Sequence, residues 1–371
     1  MNTVYISVTN DLISDYRVHR TALLLQKRCG FNVILIGRKL KNSPALQTRP
    51  YKTKRFSLPV TKGPFFYLLY NITLFTYLLF QKIEFLVAND LDTLPANYLI
   101  SKIRGKKMVF DSHELFTEVP ELIGRPGVRK VWVFIEHRMM PSAHAHFTVC
   151  QSIAGIYKAK YALDFTVIRN VPDRSAEFSG NMRTSGGRPR VILYQGMLNV
   201  GRGLEKMIRA MHYIDNAVFR IAGDGDIRSG IEELIFSEKL GNKVELLGRL
   251  PFGKLAEITG SADLGISLEE NRGLNYYYAL PNKLFAYIQS GIPVLASDFP
   301  EMSAIVKGYN IGRVTLEDDP KALAAIISDM LGNDSQRKEW MAGLSKAAEE
   351  LCWEREQEVL IGLLRAKKLL L

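Results

Sequence analysis

Residues 188–210 have the sequence RPRVILYQGMLNVGRGLEKMIRA, and this stretch decides the fold class. The apolar run at 191–194 is bounded by turn-forming residues, which predicts a buried parallel strand. Three glycines then punctuate residues 196–203, and a helical pattern begins at Leu204. A strand, a glycine loop and a helix start together present backbone N–H groups to a phosphate, and Arg202 in that loop would add a fixed positive charge.

The length and composition bound the number of domains and the compartment. A chain of 371 residues with 47% hydrophobic residues is too long for one typical core, and it fits two domains of about 150–200 residues each. The three cysteines (Cys29, Cys150 and Cys352) lie far apart, which favours buried thiols in a reducing compartment. The first residues lead directly into a strand pattern without a secretory signal. We therefore expect a cytoplasmic protein.

The net charge of +11 is distributed unevenly. Residues 1–170 carry 24 Lys and Arg against 11 Asp and Glu, a net of +13, whereas residues 171–371 carry 25 against 27. A basic surface attracts nucleic acid, an anionic membrane or an anionic substrate, or it has no specific partner. Because no nucleic-acid-reading module is recognisable, we favour a membrane surface or an anionic substrate and expect no nucleic acid partner.

Strand-like and helix-like segments alternate along both halves, which predicts an α/β protein with two doubly wound parallel sheets. Residues 171–190 are rich in Pro, Ser, Gly and Arg, which predicts a linker. The first domain would then cover residues 1–170 and the second residues 191–353, followed by a helix at 354–371.

Residues 65–80 (FFYLLYNITLFTYLLF) form the most apolar segment of the chain. At 16 residues, interrupted by Asn71, Thr73 and Thr76, the segment falls short of the ~20 residues that span a bilayer. We expect a buried or membrane-facing helix, and hence possible peripheral association with the inner face of the plasma membrane.

Segments of both halves resemble the GT-B glycosyltransferases, in particular family 4, the large retaining group. In the second half these segments are YQGMLNVGRGLEKMIRA, FRIAGDGD, VELLGRLP and YYYALPNKLFAYIQSGIPVLASDFPE. In the first half they are SDYRVHRTALLL, ANDLDTLPA, VFDSHELFTEVPEL and VIRNVPD. The resemblance implies two Rossmann-like domains facing a central cleft, a nucleotide sugar held mainly by the second domain, and a last helix that returns to the first.

The resemblance also implies site residues, and two family positions are changed. The loop arginine of the family is replaced by Met197, whereas its second cation is retained as Arg202. The second glutamate of the family's E-x7-E pair, which usually contacts the ribose, is replaced by Ala286, and its first member by Tyr278. We expect Lys283, at the start of a helix, to supply the missing charge, unless it is only a surface lysine.

The remaining donor-side candidates frame the phosphates, the base or the sugar, although each glycine turn could be only a turn. Glu269 and Glu270 would contact the sugar or be solvated residues before a loop. The donor-binding candidates are Gly196, Gly203, Gly223, Arg249, Leu250, Glu270, Leu280 and Asn282.

His113 follows an apolar strand and matches the family histidine that points at the transferred sugar, so we count it with Arg202 and Lys283 as catalytic.

Asp90 and Asp92 mimic the DxD motif of the metal-dependent GT-A enzymes. Here the motif lies in the first domain, so we expect it to line the acceptor side or to cap the helix after Thr93, with no metal. Arg17 and Glu114 complete the acceptor-side candidates. We interpret His144 and His146 as core residues because no third metal ligand accompanies them.

The resemblance implies a retaining hexosyltransferase-type enzyme, and we expect it to act in cell-surface polysaccharide synthesis. It would move a sugar from a nucleotide diphosphate donor, expected to be a UDP- or GDP-sugar, to a glycan or lipid-linked acceptor. No separate cofactor is expected. The alternative is a non-catalytic GT-B-like subunit that binds a glycan or a partner, and Met197 and Ala286 favour it. A GT-B epimerase or phosphorylase is disfavoured because phosphorylases of this architecture have far longer chains.

Overall fold

A computed structural model of the chain describes residues 2–13, 15–122, 124–174 and 187–370. These residues form two units, one comprising the described parts of Met1–Asn170 and Glu356–Leu371, the other those of Val171–Arg355. Most of the predicted linker, residues 175–186, lies outside the described residues.

The first unit is built on a seven-stranded parallel sheet with the strand order β3-β2-β1-β4-β5-β6-β7. Its strands are β1 (Thr3–Ser7), β2 (Asn32–Lys39), β3 (Lys52–Ser57), β4 (Phe85–Asn89), β5 (Lys107–Ser112), β6 (Ala145–Thr148) and β7 (Thr166–Val167). Its helices are α1 (Tyr16–Lys27), α2 (Pro64–Leu79), α3 (Asp90–Arg104), α4 (Pro126–Met139) and α5 (Gln151–Tyr161). The order reverses between β1 and β4, which is the place where ligands bind in open α/β sheets.

The second unit contains a six-stranded parallel sheet with the strand order β10-β9-β8-β11-β12-β13. Its strands are β8 (Arg190–Gln195), β9 (Ala217–Ala222), β10 (Val244–Gly248), β11 (Leu264–Ser267), β12 (Val294–Ser297) and β13 (Gly312–Thr315). Its helices are α6 (Leu204–Ala210), α7 (Arg228–Ser237), α8 (Phe252–Ser261), α9 (Leu274–Tyr277), α10 (Asn282–Gln289), α11 (Pro300–Tyr309), α12 (Pro320–Gly332) and α13 (Asp334–Glu350). The predicted α/β class with two doubly wound parallel sheets is therefore confirmed.

Alternate residues of β8 face two separate apolar cores, as its continuous apolar run predicted. Ile192 and Tyr194 pack into one core with α6 and α12. Val191 and Leu193 pack into the other with α10, α11 and α13. Since successive strand side chains point to opposite faces, a strand covered by helices on both faces is apolar at every position.

The last helix, α14 (Trp353–Ala366), belongs to the first unit from Glu356 onward. The Glu356 carboxylate accepts hydrogen bonds from the backbone N–H of Arg169, at 3.0 Å, and from its guanidinium, at 3.1 Å. The Lys107 ammonium donates to the carbonyl oxygen of Lys368 at 2.7 Å. These contacts hold the end of the chain against the first sheet.

Three local predictions are wrong. Helix α3 begins at Asp90 rather than after Thr93, so both aspartates lie in its first turn. Strand β13 was not predicted, because its four residues are all half-buried and include Arg313 and Thr315. His144 is exposed rather than in the core, although His146 is buried and bonded to the carbonyl oxygen of Met140 at 2.9 Å.

Candidate functional site

The predicted catalytic residues form two clusters, and each lies near the carboxyl ends of strands in its own sheet. In the second unit Arg202 follows β8, while Lys283 lies in the first turn of α10. In the first unit His113 follows β5 directly.

The loop after β8 needs glycine because backbone segments cross it closely. A Cβ on Gly223, whose φ is +155°, would lie 1.8 Å from the carbonyl oxygen of Gly196. A Cβ on Gly203, whose φ is +68°, would lie 2.2 Å from the carbonyl oxygen of Leu268. The loop therefore packs against the ends of β9 and β11, and its backbone path is fixed before any ligand binds.

The Lys283 ammonium is buried and paired with a carboxylate. Its Nζ lies 2.8 Å from Oε1 of Glu269, and the two side chains are 7% and 0% exposed. The same oxygen lies 3.6 Å from the Nη1 of Arg202. The Lys283 Nζ also lies 4.1 Å from the centre of the Tyr194 ring, as a cation–π contact. The alternative of a surface lysine is therefore wrong, and Glu269 is not a solvated residue.

The charges of this cluster are strongly coupled. Burial lowers the pKa of the Lys283 ammonium, with Glu269 opposing the effect and Arg202 adding to it. For Glu269, burial opposes ionisation, but the Lys283 and Arg202 charges and the Ser267 hydroxyl outweigh it and lower its pKa. Two cations then face one carboxylate, so the cluster carries an excess positive charge next to the N–H groups of the loop. This is the electrostatic arrangement that stabilises a phosphate bearing developing negative charge.

The other donor-side candidates occupy positions around this cluster. Glu270 is half-buried and pairs with Arg272 at 2.8 Å. Leu250 and Leu280 pack against the core on the α10 side of the sheet. Arg249 and Asn282 are exposed, the first just after β10 and the second as the first residue of α10.

In the first unit, His113 is held between two carboxylates. Its Nδ1 lies 3.0 Å from Oδ2 of Asp90, and its Nε2 lies 2.5 Å from Oδ2 of Asp111. The His113 backbone N–H also donates to Oδ1 of Asp90 at 2.8 Å. Asp90 itself has a φ of +56°, a left-handed conformation that costs energy in a residue other than glycine.

His113 is therefore an imidazolium rather than a free base. Burial and the nearby Arg17 charge oppose its protonation, but the Asp111 and Asp90 carboxylates outweigh them and raise its pKa to about 9. With both ring nitrogens donating to carboxylates, the ring has no lone pair with which to accept a proton. The cluster can place a fixed positive charge and orient its carboxylates.

The acceptor-side candidates lie close to this imidazolium. Arg17 pairs with Asp15 at 3.8 Å. Asp92 is buried and accepts a hydrogen bond from the Thr9 hydroxyl at 2.5 Å. Burial, followed by the Asp90 charge and then that of Glu114, raises the pKa of Asp92 to about 7. The structure therefore brings Asp90, Asp92, Arg17 and Glu114 together with His113.

In the described part of the chain, no group of three or more His, Cys, Asp or Glu side chains is arranged to hold a metal ion. Within the same residues, we find no helix whose length and hydropathy suffice to cross a bilayer.

Comparison with known proteins gives a family match that lies in the second half of the chain. Residues 181–346 match the family described as Glycosyl transferases group 1. This part of the chain is therefore similar to group 1 glycosyltransferases. An uncharacterised glycosyltransferase of Methanocaldococcus jannaschii is 30% identical over 140 residues, which span 36% of this chain and 34% of that protein. The chain therefore matches about a third of the length of this curated relative.

Solved structures confirm that the fold is GT-B. Sucrose-phosphate synthase from Thermosynechococcus elongatus superposes with a TM-score of 0.79 at 17% identity, covering 99% of both chains. Anabaena HepE in complex with UDP and glucose superposes with a TM-score of 0.72 at 14% identity, covering 99% of this chain and 100% of that one. At these identities the likeness concerns the fold alone.

In the second unit, sequence reasoning missed the burial and the ion pairs of Glu269. It was considered only as a sugar contact or a solvated residue. Its two partners lie 67 and 14 residues away in the sequence. One sequence signal could have revealed this burial. Glu269 is a carboxylate that comes shortly after an apolar strand, and two candidate cations, Arg202 and Lys283, were predicted in the same domain.

Proposed function

We propose that the protein is a retaining glycosyltransferase that moves a sugar from a nucleotide diphosphate donor to an acceptor. The observation that carries the proposal is the pair of cations, Arg202 and Lys283, next to the glycine loop in the part of the chain that matches group 1 glycosyltransferases. Transfer leaves additional negative charge on the departing phosphate, and preorganised cations and N–H dipoles lower the energy of that state.

The proposed reaction is substrate-assisted. The leaving phosphate accepts the proton of the acceptor hydroxyl on the same face of the sugar, and Arg202, Lys283 and the loop amides stabilise its charge. Retention of the anomeric configuration rests on the resemblance to family 4. In this scheme His113, as an imidazolium, does not abstract the proton.

The donor is proposed to be a UDP- or GDP-sugar. That HepE has been solved with UDP and glucose supports a uridine nucleotide. No additional cofactor is proposed.

The acceptor is proposed to be a lipid-linked or growing glycan in cell-surface polysaccharide synthesis, reached from the inner face of the plasma membrane. In the described part of the chain, sixteen large apolar side chains are exposed, and eight of them lie on α2, α3 and α4 or at the end of α2. These eight, named here the apolar face, are Phe65, Leu68, Ile72, Phe80, Leu99, Ile103, Val131 and Phe134.

The three helices that carry the apolar face pack together, and the exposed charge on these helices is positive. Helix α3 packs against both α2 and α4, and the rings of Tyr67 and Trp132 meet at 5.1 Å between α2 and α4. The exposed charged side chains of these three helices are all basic, and none of their acidic side chains is exposed. Apolar side chains with basic neighbours bind an anionic lipid surface by burial and by charge attraction.

A second candidate function is a non-catalytic subunit, because Met197 and Ala286 replace a cation and a carboxylate that family 4 uses. Met197 is exposed, and Ala286 is half-buried one helical turn after Lys283. Nucleotide binding and turnover distinguish the two candidates.

The test is thermal unfolding of the full chain with UDP, GDP, ADP and CMP in turn, followed by assay of sugar release from the matching nucleotide sugars. A ligand at 100 times its dissociation constant adds about 2.7 kcal/mol of stability. We expect stabilisation by UDP or GDP and turnover of the corresponding sugar nucleotide, with both diminished in Arg202→Ala. Binding without turnover would favour the non-catalytic subunit. No binding of any of the four would overturn the proposed function.

A further inference from the structure

Glu269 is the one member of the cation cluster that neither the sequence motifs nor the family position assigns. Its side chain is fully buried at the end of β11, between a loop and a helix that each contribute one cation. A buried carboxylate costs desolvation energy and persists only where charged and hydrogen-bonding partners compensate it.

Both carboxylate oxygens and the carbonyl oxygen of Glu269 accept hydrogen bonds that fix its position. Oε2 accepts a hydrogen bond from the Ser267 hydroxyl at 2.8 Å, and Oε1 accepts one from Lys283 at 2.8 Å. The carbonyl oxygen of Glu269 accepts a hydrogen bond from the Ser297 hydroxyl at 2.6 Å. The carboxylate is therefore held from β11 and from the end of β12, and it holds the lysine in turn.

Lys283 depends on this carboxylate. In the part of the chain that the structure describes, Glu269 is the hydrogen-bond acceptor of its Nζ, and Tyr194 covers it with the face of a ring. The ammonium uses one of its three N–H donors on Glu269. A lysine side chain has four rotatable bonds, and this contact fixes its end beside Gly196, from which a Cβ would lie 3.6 Å from the Lys283 Cε.

We infer that Glu269 is a positioning residue that holds the Lys283 ammonium in place for the diphosphate of the donor. This inference rests on the proposed function and deepens it. Glu269 does not touch the diphosphate, because like charges repel; it acts through Lys283. It also keeps two neighbouring cations, Lys283 and Arg202, from repelling each other while the site is empty.

The experiment measures the dissociation constants of UDP, uridine and a UDP-sugar for the full chain and for Glu269→Gln. We expect the dissociation constant of UDP to rise by about 10- to 100-fold in Glu269→Gln. This factor corresponds to the free energy of one hydrogen bond to a charged group. Uridine, which lacks phosphate, is expected to bind unchanged. The matched control is Asp263→Asn. Asp263 directly precedes β11, its carboxylate is fully buried, and it pairs with Arg190 at 3.1 Å. This substitution should lower stability and leave UDP binding unchanged.

A double-mutant comparison separates positioning from a merely structural role. In a Lys283→Met background, Glu269→Gln is expected to cause no further loss of UDP affinity, because the residue through which it acts is gone. The double variant leaves neither member of the pair unmatched. It therefore carries the test if Glu269→Gln alone does not fold, and a further loss in this background would overturn the inference.

The pH dependence of UDP affinity also distinguishes the two roles, because a purely structural role of Glu269 would leave it unchanged. The groups facing the Lys283 ammonium are Glu269, Arg202 and the Tyr194 ring. Removing the Glu269 charge removes the influence that raises the Lys283 pKa, so UDP affinity in Glu269→Gln is expected to decline at a lower pH than in the wild type.

The remaining outcomes are distinct. If Glu269→Gln weakens the UDP-sugar but not UDP, Glu269 contacts the sugar and the inference is wrong. If neither ligand is affected, the inference is also wrong, while the proposed function stands. If the wild type binds no nucleoside diphosphate, both fail.

Discussion

The Nε2 of His113 lies 2.5 Å from Oδ2 of Asp111, on the opposite side of the ring from Asp90. Two carboxylates thus share one imidazolium at the end of β5. Because their attraction exceeds the effect of burial, the pKa of His113 is raised to about 9. The protonation state of the His113 ring therefore depends on the folded structure, and it can be measured.

We predict that the His113 ring stays protonated at neutral pH and titrates near pH 9 by NMR. A raised pKa in the folded state contributes stability that is complete below the unfolded value of about 6.5 and is lost as the pH rises toward 9. The stability difference between wild type and His113→Asn should therefore shrink across that range. Asp111→Asn should lower the His113 pKa. Titration of the wild-type ring near 6.5 would refute the prediction.

Gly223→Ala should strongly destabilise the second unit. The new Cβ would meet backbone, not a flexible side chain, at 1.8 Å, so the expected loss exceeds about 1 kcal/mol. Denaturant unfolding measures it. The control is Gly253→Ala in α8, where nothing lies within 4 Å of the added Cβ and where alanine is favoured by about 0.5–1 kcal/mol. Equal effects at the two positions would contradict the close crossing.

Arg202→Ala should weaken UDP binding by about 1.5–3 kcal/mol, because a charged group facing the phosphates is lost. Isothermal titration with UDP and uridine measures the change, and uridine should be affected little. Arg209→Ala is the control, since this exposed arginine of α6 pairs with Glu238 at 3.3 Å, outside the cluster. Similar losses in the two variants would argue against a phosphate contact.

Ala286→Glu should strengthen nucleoside binding if the family's ribose contact can be restored. Position 286 is half-buried and lies one turn after Lys283 on α10. A restored charged hydrogen bond would be worth about 1.5–3 kcal/mol. Uridine and UDP should gain alike, whereas inorganic diphosphate, which has no ribose, should not. Unchanged uridine affinity would place the ribose elsewhere.

Replacing Phe65 and Leu68 together by serine should reduce co-sedimentation with anionic vesicles, because both side chains belong to the apolar face. Binding should also fall as salt screens the basic neighbours, whose attraction is worth about 1 kcal/mol each. Phe236→Ser, at an exposed phenylalanine of α7 in the second unit, is the control. Loss of binding in the control alone would exclude the apolar face as the membrane contact.

The central parallel strands were predictable because they are covered on both faces and so are continuously apolar, as at residues 191–194. Strand β13 was not predictable in this way, since Gly312–Thr315 is half-buried and mixes polar with apolar residues. The position of His113 at the carboxyl end of a strand followed from the rule that ligands meet the carboxyl ends of strands. The positions of Arg202 and Lys283 followed from the glycine loop and from the predicted start of a helix. The burial of Glu269 did not follow, because a charged residue is buried only when distant partners compensate it, and those partners come together only in the fold.

The anchoring of α14 on the first unit has a consequence for synthesis on the ribosome. Arg169 pairs with Glu356, and Lys107 donates a hydrogen bond to Lys368. In each pair the second residue is translated nearly 190 or more positions after the first. The second unit, Val171–Arg355, is contiguous in the sequence. Domains generally fold as units in the order in which they leave the ribosome. Here the first unit is completed only after the second unit has been translated. A nascent chain stalled before residue 356 would leave Arg169 and Lys107 without these partners, so the first unit completes its contacts only after the whole second unit has been translated.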